Sequence, residues 1–156
     1  ITERSLKRKL AEQMADEWIK DMTRDGVQRD TREKLAKASV KQFTDAPVLI
    51  VACVTMEDMD TYPDGRRMTY EHIMAAQSLA ASIQNILLAA HSEGLGACWF
   101  CASLFCQDVV RKVLRIPEGV EPQALITLGY PSEKPTPPPR KTLRKIVYMN
   151  RWGEKA

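Results

Sequence analysis

His91-Ser92-Glu93-Gly94-Leu95-Gly96-Ala97-Cys98-Trp99-Phe100-Cys101 ends a helix rich in small residues, and Pro122-Gln123-Ala124-Leu125-Ile126-Thr127-Leu128-Gly129-Tyr130 follows one short helix later. The first string reads as helix, glycine bend and short strand, because Gly94 and Gly96 stop the helical period and Ala97 to Cys101 is apolar and compact. Between the strings, Ser103 or Gln107-Asp108 starts a helix with Val109, Val110, Val113 and Leu114 on one side, stopped at Ile116-Pro117 and Glu118-Gly119. Glu121 to Tyr130 then reads as a strand.

Upstream, Thr69 to Ser92 is Ala, Leu, Ile and Gln with almost no charge after Glu71. A helix apolar nearly all round belongs in a core or a subunit interface, and Ala75, Ala76, Ala80, Ala81 and Ala89 let another backbone come close. Asp45-Ala46-Pro47 breaks an earlier helical period before Val48-Leu49-Ile50-Val51-Ala52-Cys53-Val54, whose unbroken apolar run predicts a central strand of a sheet covered on both sides. Leu6, Leu10, Met14, Trp18 and Met22 give the opening helix its stripe up to Asp25-Gly26, and a weaker helix runs from Thr31 to about Phe43. Met56 to Arg67 reads as a loop. Pro131, Pro135 and Pro137-Pro138-Pro139 form a stiff arm from residue 131 to 156, in which Thr142 to Met149 adds an edge strand or wraps a partner. The elements together predict one α+β domain over residues 1–156, a mixed or antiparallel central sheet flanked by helices around a long buried central helix.

Composition narrows the function classes. The 156 residues carry a formal charge of +3, with basic and acidic side chains interleaved, which argues against nucleic acid. The densest basic run, Lys7-Arg8-Lys9, reads as a solvated helix face. No uncharged apolar run is read as spanning a bilayer, and no basic-then-apolar leader opens the chain. Cys53, Cys98, Cys101 and Cys106 are unevenly spaced in apolar surroundings, which suits a reducing cytoplasm.

Motif chemistry is mostly exclusion. Cys98-x2-Cys101-x4-Cys106 has thiolate spacing for zinc or iron–sulfur, but residues three apart in a strand face opposite ways, so small buried hydrophobes are expected and no metal ligand is assigned. Asp58-x-Asp60 lacks the glycine and distal glutamate of a calcium loop. His72 and His91, the only histidines, accompany no nucleophile elbow, and Gly94-x-Gly96 follows a helix rather than a strand. No catalytic side chain is assigned.

The succession of helix, Gly94-Leu95-Gly96-Ala97-Cys98-Trp99, helix, and Ala124-Leu125-Ile126-Thr127-Leu128-Gly129-Tyr130-Pro131 resembles the nitroreductase family of flavoproteins, from about Ile1 to Val147. The resemblance implies a homodimer with FMN at the subunit interface, NAD(P)H as electron donor, and a nitroaromatic, quinone or other small conjugated acceptor. It places Trp99, Phe100, Cys101 and Ala102 along the flavin ring, Ser78 at its edge, and Arg140 and Lys141 at its phosphate. Cys101-Ala102 stands where many members have Glu-Gly or Ile-Gly, which leaves a main-chain role intact. The family's Arg-Ser-x-Arg and Gln-Pro-Trp segments are not found, so the resemblance leads us to expect a preceding segment. The Cys98-Trp99-x-Cys101-Ala102-x-Leu104-Phe105-Cys106 wording looks closest to the branch related to deazaflavin-coenzyme ligases. Two other outcomes stay open: a dimeric scaffold that has lost its flavin, and a cysteine-metal protein.

Overall fold

In the computed structural model, which describes residues 1–133 and 135–155, three layers are stacked: two helices and a short one, a sheet, and one long helix. The elements are α1 (Arg4–Arg24), α2 (Arg29–Asp45), β1 (Val48–Thr55), α3 (Gly65–Ser92), β2 (Gly96–Phe100), a 3₁₀ turn (Ala102–Cys106), α4 (Gln107–Leu114), β3 (Val120–Gly129) and a second 3₁₀ turn (Leu143–Lys145). The α+β class and the element order follow the sequence reading closely. The sheet has the order β1-β3-β2 and is antiparallel throughout.

Here one expectation fails. The apolar run Val48–Val54 is not central: β3 is, and β1 lies at one side of the described sheet. Apolar residues on both faces mean only that both faces are covered, and here they are. Leu49 and Leu125 enter a core with Leu10, Met14, Phe43 and Val110 from α1, α2 and α4. Ala52, Ala124 and Ile126 enter a second core against Ile83 of α3. At the outer edge of β1, Ile1 and Leu49 exchange both main-chain hydrogen bonds, at 2.6 and 3.0 Å. The β1–β3 register shifts between Ala52 and Cys53, opposite Pro122, whose ring nitrogen has no hydrogen to give the ladder.

The helix α3 is longer than expected, starting at Gly65 because the Asp64 carboxylate accepts from the Arg67 N–H at 2.9 Å. It is also less buried. Glu71, Ala75, Ile83 and Ala90 are enclosed, whereas Tyr70, Ile73, Met74 and Leu88 are exposed on its far side. One sheet face can cover only one side of a helix, so an all-round apolar helix keeps a bare flank within a single chain. An 18-residue window of α3 reaches a mean hydropathy of 1.4, long and apolar enough to cross a membrane, contrary to the expectation that no segment qualifies. Its inner side is packed on the sheet instead.

Two smaller expectations also change. Lys7 is buried, its Nζ donating to the carbonyls of Ala46 and Pro47, so the first residue of the basic run ties α1 to the end of α2 rather than to water. Removing that ammonium would leave buried acceptors unpaired, at about 1–3 kcal/mol. Among its described residues the C-terminal arm adds no strand to the sheet. It runs through the Leu143–Lys145 turn to an isolated pairing of Tyr148 with Lys155, and the Tyr148 and Trp152 rings meet at 4.8 Å.

Candidate functional site

The glycine bend behaves as the sequence predicts. Gly94 has φ +74°, a conformation costly for a residue with a Cβ, and the Leu95 N–H reaches back to the Ala90 carbonyl at 2.8 Å. The chain then enters β2, which pairs only with β3 among the described strands and so leaves its other edge unpaired. Gly129, at the end of β3, faces Gly96, and a Cβ on it would stand 2.6 Å from the Pro47 ring. These glycines let the start of β1, the end of β3 and the start of β2 close up at one end of the sheet.

Alternation along β2 sends its side chains to opposite layers. Trp99 packs toward α3, where its indole N–H is buried without a partner. Phe100 points the other way and meets the Phe43 ring edge-on, with centroids 5.1 Å apart. Cys101 is exposed and its carbonyl accepts the Leu104 N–H, which opens the 3₁₀ turn. Ala102 is half-buried. None of the four lies deep in the core.

Phe100 and Ala102 form part of the wall of a groove of about 830 Å³ between α1, α2 and the 3₁₀ turn. Phe43 and Met14 line it from the two helices, and Trp18 and Phe105 are exposed aromatic rings beside it. Ser39 and Gln42 of α2 contribute a hydroxyl and an amide. Sequence reasoning missed these last two, because on a weakly patterned helix they look like ordinary solvent-facing residues. The only hint was Phe43, an aromatic ring directly after Gln42 in the last turns of α2.

The other expected site residues are elsewhere. Ser78 is exposed on α3, on the opposite side of the sheet from the groove, and within one chain it cannot reach it. Arg140 and Lys141 are exposed in the extended arm and do not line the groove. The groove instead carries carboxylates along α1 and at its C-terminal cap, Glu17, Asp21 and Asp25, with Arg24 bound to Asp21. Cys106 sits at its wall, and burial, then Glu17 and Asp21, pushes its thiol up to about 11. Such a thiol keeps its proton at neutral pH and is a poor metal ligand. No three His, Cys, Asp or Glu side chains come together for a metal among the described residues.

An aromatic-lined groove at the far end of a short strand that starts from a glycine bend, on a sheet with a long helix behind it, can be set against known proteins. The sequence profile of the nitroreductase family matches residues 1–130. The chain belongs to the nitroreductase family. Two archaeal relatives, each provisionally named an NADH dehydrogenase/NAD(P)H nitroreductase, align with it. The one from Methanothermobacter thermautotrophicus is 39% identical over 93 residues, covering 58% of this chain and 44% of the relative. That from Archaeoglobus fulgidus is 31% identical over 118 residues, covering 69% of this chain and 60% of the relative. This nitroreductase-family chain therefore spans about half the length of those relatives. Its fold matches the crystal structure of a BluB-like flavoprotein from Clostridium difficile, with a TM-score of 0.72, 21% identity and coverage of 97% of this chain and 77% of that one.

As a holder of FMN, the groove fits one part of the molecule. Phe100 and Ala102, with the buried Phe43 behind them, offer apolar surface to a planar ring, and Ser39 and Gln42 offer polar atoms to its edge. The phosphate finds no comparable grip, because Arg24, the one cation lining the groove among the described residues, is already paired and stands among carboxylates.

Proposed function

We propose that this nitroreductase-family chain is part of an FMN-dependent oxidoreductase that passes two electrons from NAD(P)H to a nitroaromatic, quinone or similar conjugated acceptor. The observation that carries the reading is the groove beneath Phe100 and Ala102, open to solvent and floored by aromatic rings at the end of an edge strand. Bound FMN would supply reversible hydride chemistry. The chain's own residues would do the rest: Phe100, backed by the buried Phe43, would orient the ring, Ser39 and Gln42 would bond its polar edge, and main-chain N–H groups at Cys101 and Ala102 would serve the part of the ring where charge changes. The α1 and α2 walls would exclude water from one face.

Ser78, Arg140 and Lys141 enter this reading only through assembly. The exposed side of α3, with Tyr70, Ile73, Met74 and Leu88, suits a second copy of the chain, and a homodimer built there would bring Ser78 of one copy toward the other. Arg140 and Lys141 would meet the phosphate if the arm folds onto a groove once it is filled. The four free cysteines accord with a cytoplasmic setting.

One observation favours the scaffold alternative: neither basic residue stands at the groove. Titration with FMN separates the two. Purified chain should quench FMN fluorescence saturably and shift its absorption near ~450 nm, and Phe100→Asp should abolish both. No uptake by folded chain would favour the scaffold.

A further inference from the structure

We propose that the hollow between the first half of α1 and the end of α4 is a second binding site, built for a small soluble phosphate ester that carries an apolar group. It shares no lining residue with the flavin groove and does not depend on the flavin reading.

The basic run Lys7-Arg8-Lys9 is divided three ways by the fold. Lys7 is buried on two carbonyls, Arg8 is paired with Glu12 at 2.8 Å, and Lys9 lines a hollow of about 510 Å³. Lys112 and Arg115 reach the same hollow from α4 and its C-cap. None of these three cations has an ion pair or a side-chain hydrogen bond among the described residues, although Arg111, beside Lys112, holds Asp108 at 3.1 Å. No carboxylate lines the hollow among the described residues.

The negative end of α4 accounts for a cation at Lys112. It does not account for Lys9, which arrives from another helix, nor for an arginine at position 115, where φ is +56° and glycine or asparagine is the usual occupant. Arg111 and Lys112 already serve that helix end, so a strained residue that adds one more charge there points to use rather than to packing. Leu6, Val113 and Leu114 give the hollow an apolar lining, and Gln13 adds a half-buried amide with no hydrogen bond of its own among the described residues. Its volume falls within the about 300–1,000 Å³ of small-molecule sites, a concavity that a flat lipid surface cannot enter. Three cations around an apolar lining match a dianionic phosphate on an apolar stem: the guanidinium takes two oxygens at once and the ammonium groups act as point charges.

The probes are 1-naphthyl phosphate, 1-naphthalenemethanol and inorganic phosphate, with binding read by calorimetry and by the fluorescence of the ester. The ester should bind at least about tenfold more tightly than either the alcohol or inorganic phosphate, and more weakly as salt rises. K9Q/R115N should weaken the ester about tenfold and leave the alcohol unchanged. Asparagine suits the left-handed position, so that variant keeps the fold, which circular dichroism checks. Lys112→Gln alone should weaken the ester part of the way. Equal binding of ester and alcohol, an affinity that survives the substitutions, or no binding of the ester would overturn the proposal. So would retention on phosphatidic acid vesicles of a chain that ignores the soluble ester. FMN titration of K9Q/R115N keeps the two sites apart: uptake equal to that of the unaltered chain is expected, and uptake lost together with ester binding would make the hollow part of the flavin site and overturn the proposal. No FMN uptake by either chain, with ester binding intact, refutes the flavin reading alone.

Discussion

Replacing Phe43 by alanine strikes the joint on which the groove depends. Phe43 is 3% exposed, sits in the core formed by α1, α2 and α4 with the sheet, and meets Phe100 edge-on at 5.1 Å. Truncating a buried phenylalanine costs about 3–5 kcal/mol, and the ring–ring contact accounts for about 0.5–1.5 kcal/mol beyond area. Because one side of Phe43 borders the groove, solvent can enter part of the vacated space, so the lower figure, about 3 kcal/mol, is expected. Against a total of about 5–15 kcal/mol for a domain, that is a large loss. Urea unfolding followed by circular dichroism would read it as a lowered midpoint at unchanged slope. A double-mutant cycle with Phe100→Leu should show a coupling of about 0.5–1.5 kcal/mol. A loss below about 1 kcal/mol, or additive single effects, would mean that the two rings do not meet and that the groove floor is wrong.

Three further outcomes follow from the same geometry. Gly129→Ala drives a Cβ to within 2.6 Å of the Pro47 ring and should cost about 1–3 kcal/mol, while Gly65→Ala, which meets open space, should be near neutral in the same unfolding assay. For Cys106 the native thiol stays protonated above its ordinary value of 9.0, up to about 11, so the folded state binds more protons than the unfolded one in that window. The Cys106 contribution to stability should therefore be constant below pH 9 and fall as pH rises from 9 to about 11, so Cys106→Ser should show a smaller decline over that window in pH-dependent unfolding. Ile73→Glu with Leu88→Glu changes two residues 44% and 59% exposed, so it should leave the unfolding midpoint of the separate chain nearly unchanged and lower self-association in sedimentation velocity.

Much of the fold is legible because its signals are local. Gly94 ends α3 where a left-handed residue is needed, and Pro47 and the β-branched run after it mark β1. What the sequence could not place was lateral order. The apolar run of β1 shows that both faces are covered, and coverage says nothing of which strand has neighbours on both edges. Lys7 was misread for a related reason: its charge points to water, and only the packing of α1 on α2 reveals two carbonyls awaiting its ammonium. Half the candidate site was likewise invisible. Phe100 and Ala102 follow a recognisable bend, but Ser39 and Gln42 become site residues only because α2 lies across the groove from them.

The central claim is that the chain from Phe100 to Ala102 and the facing turns of α2 are the surface on which flavin rests. Hydrogen–deuterium exchange of the chain with and without saturating FMN tests it most directly. The account predicts slowed exchange at Phe100 to Cys106 and around Ser39 to Phe43, with the exposed loop from Met56 to Asp60 unchanged. FMN bound with protection confined to other segments, or no protection at the end of β2 at saturation, would contradict it.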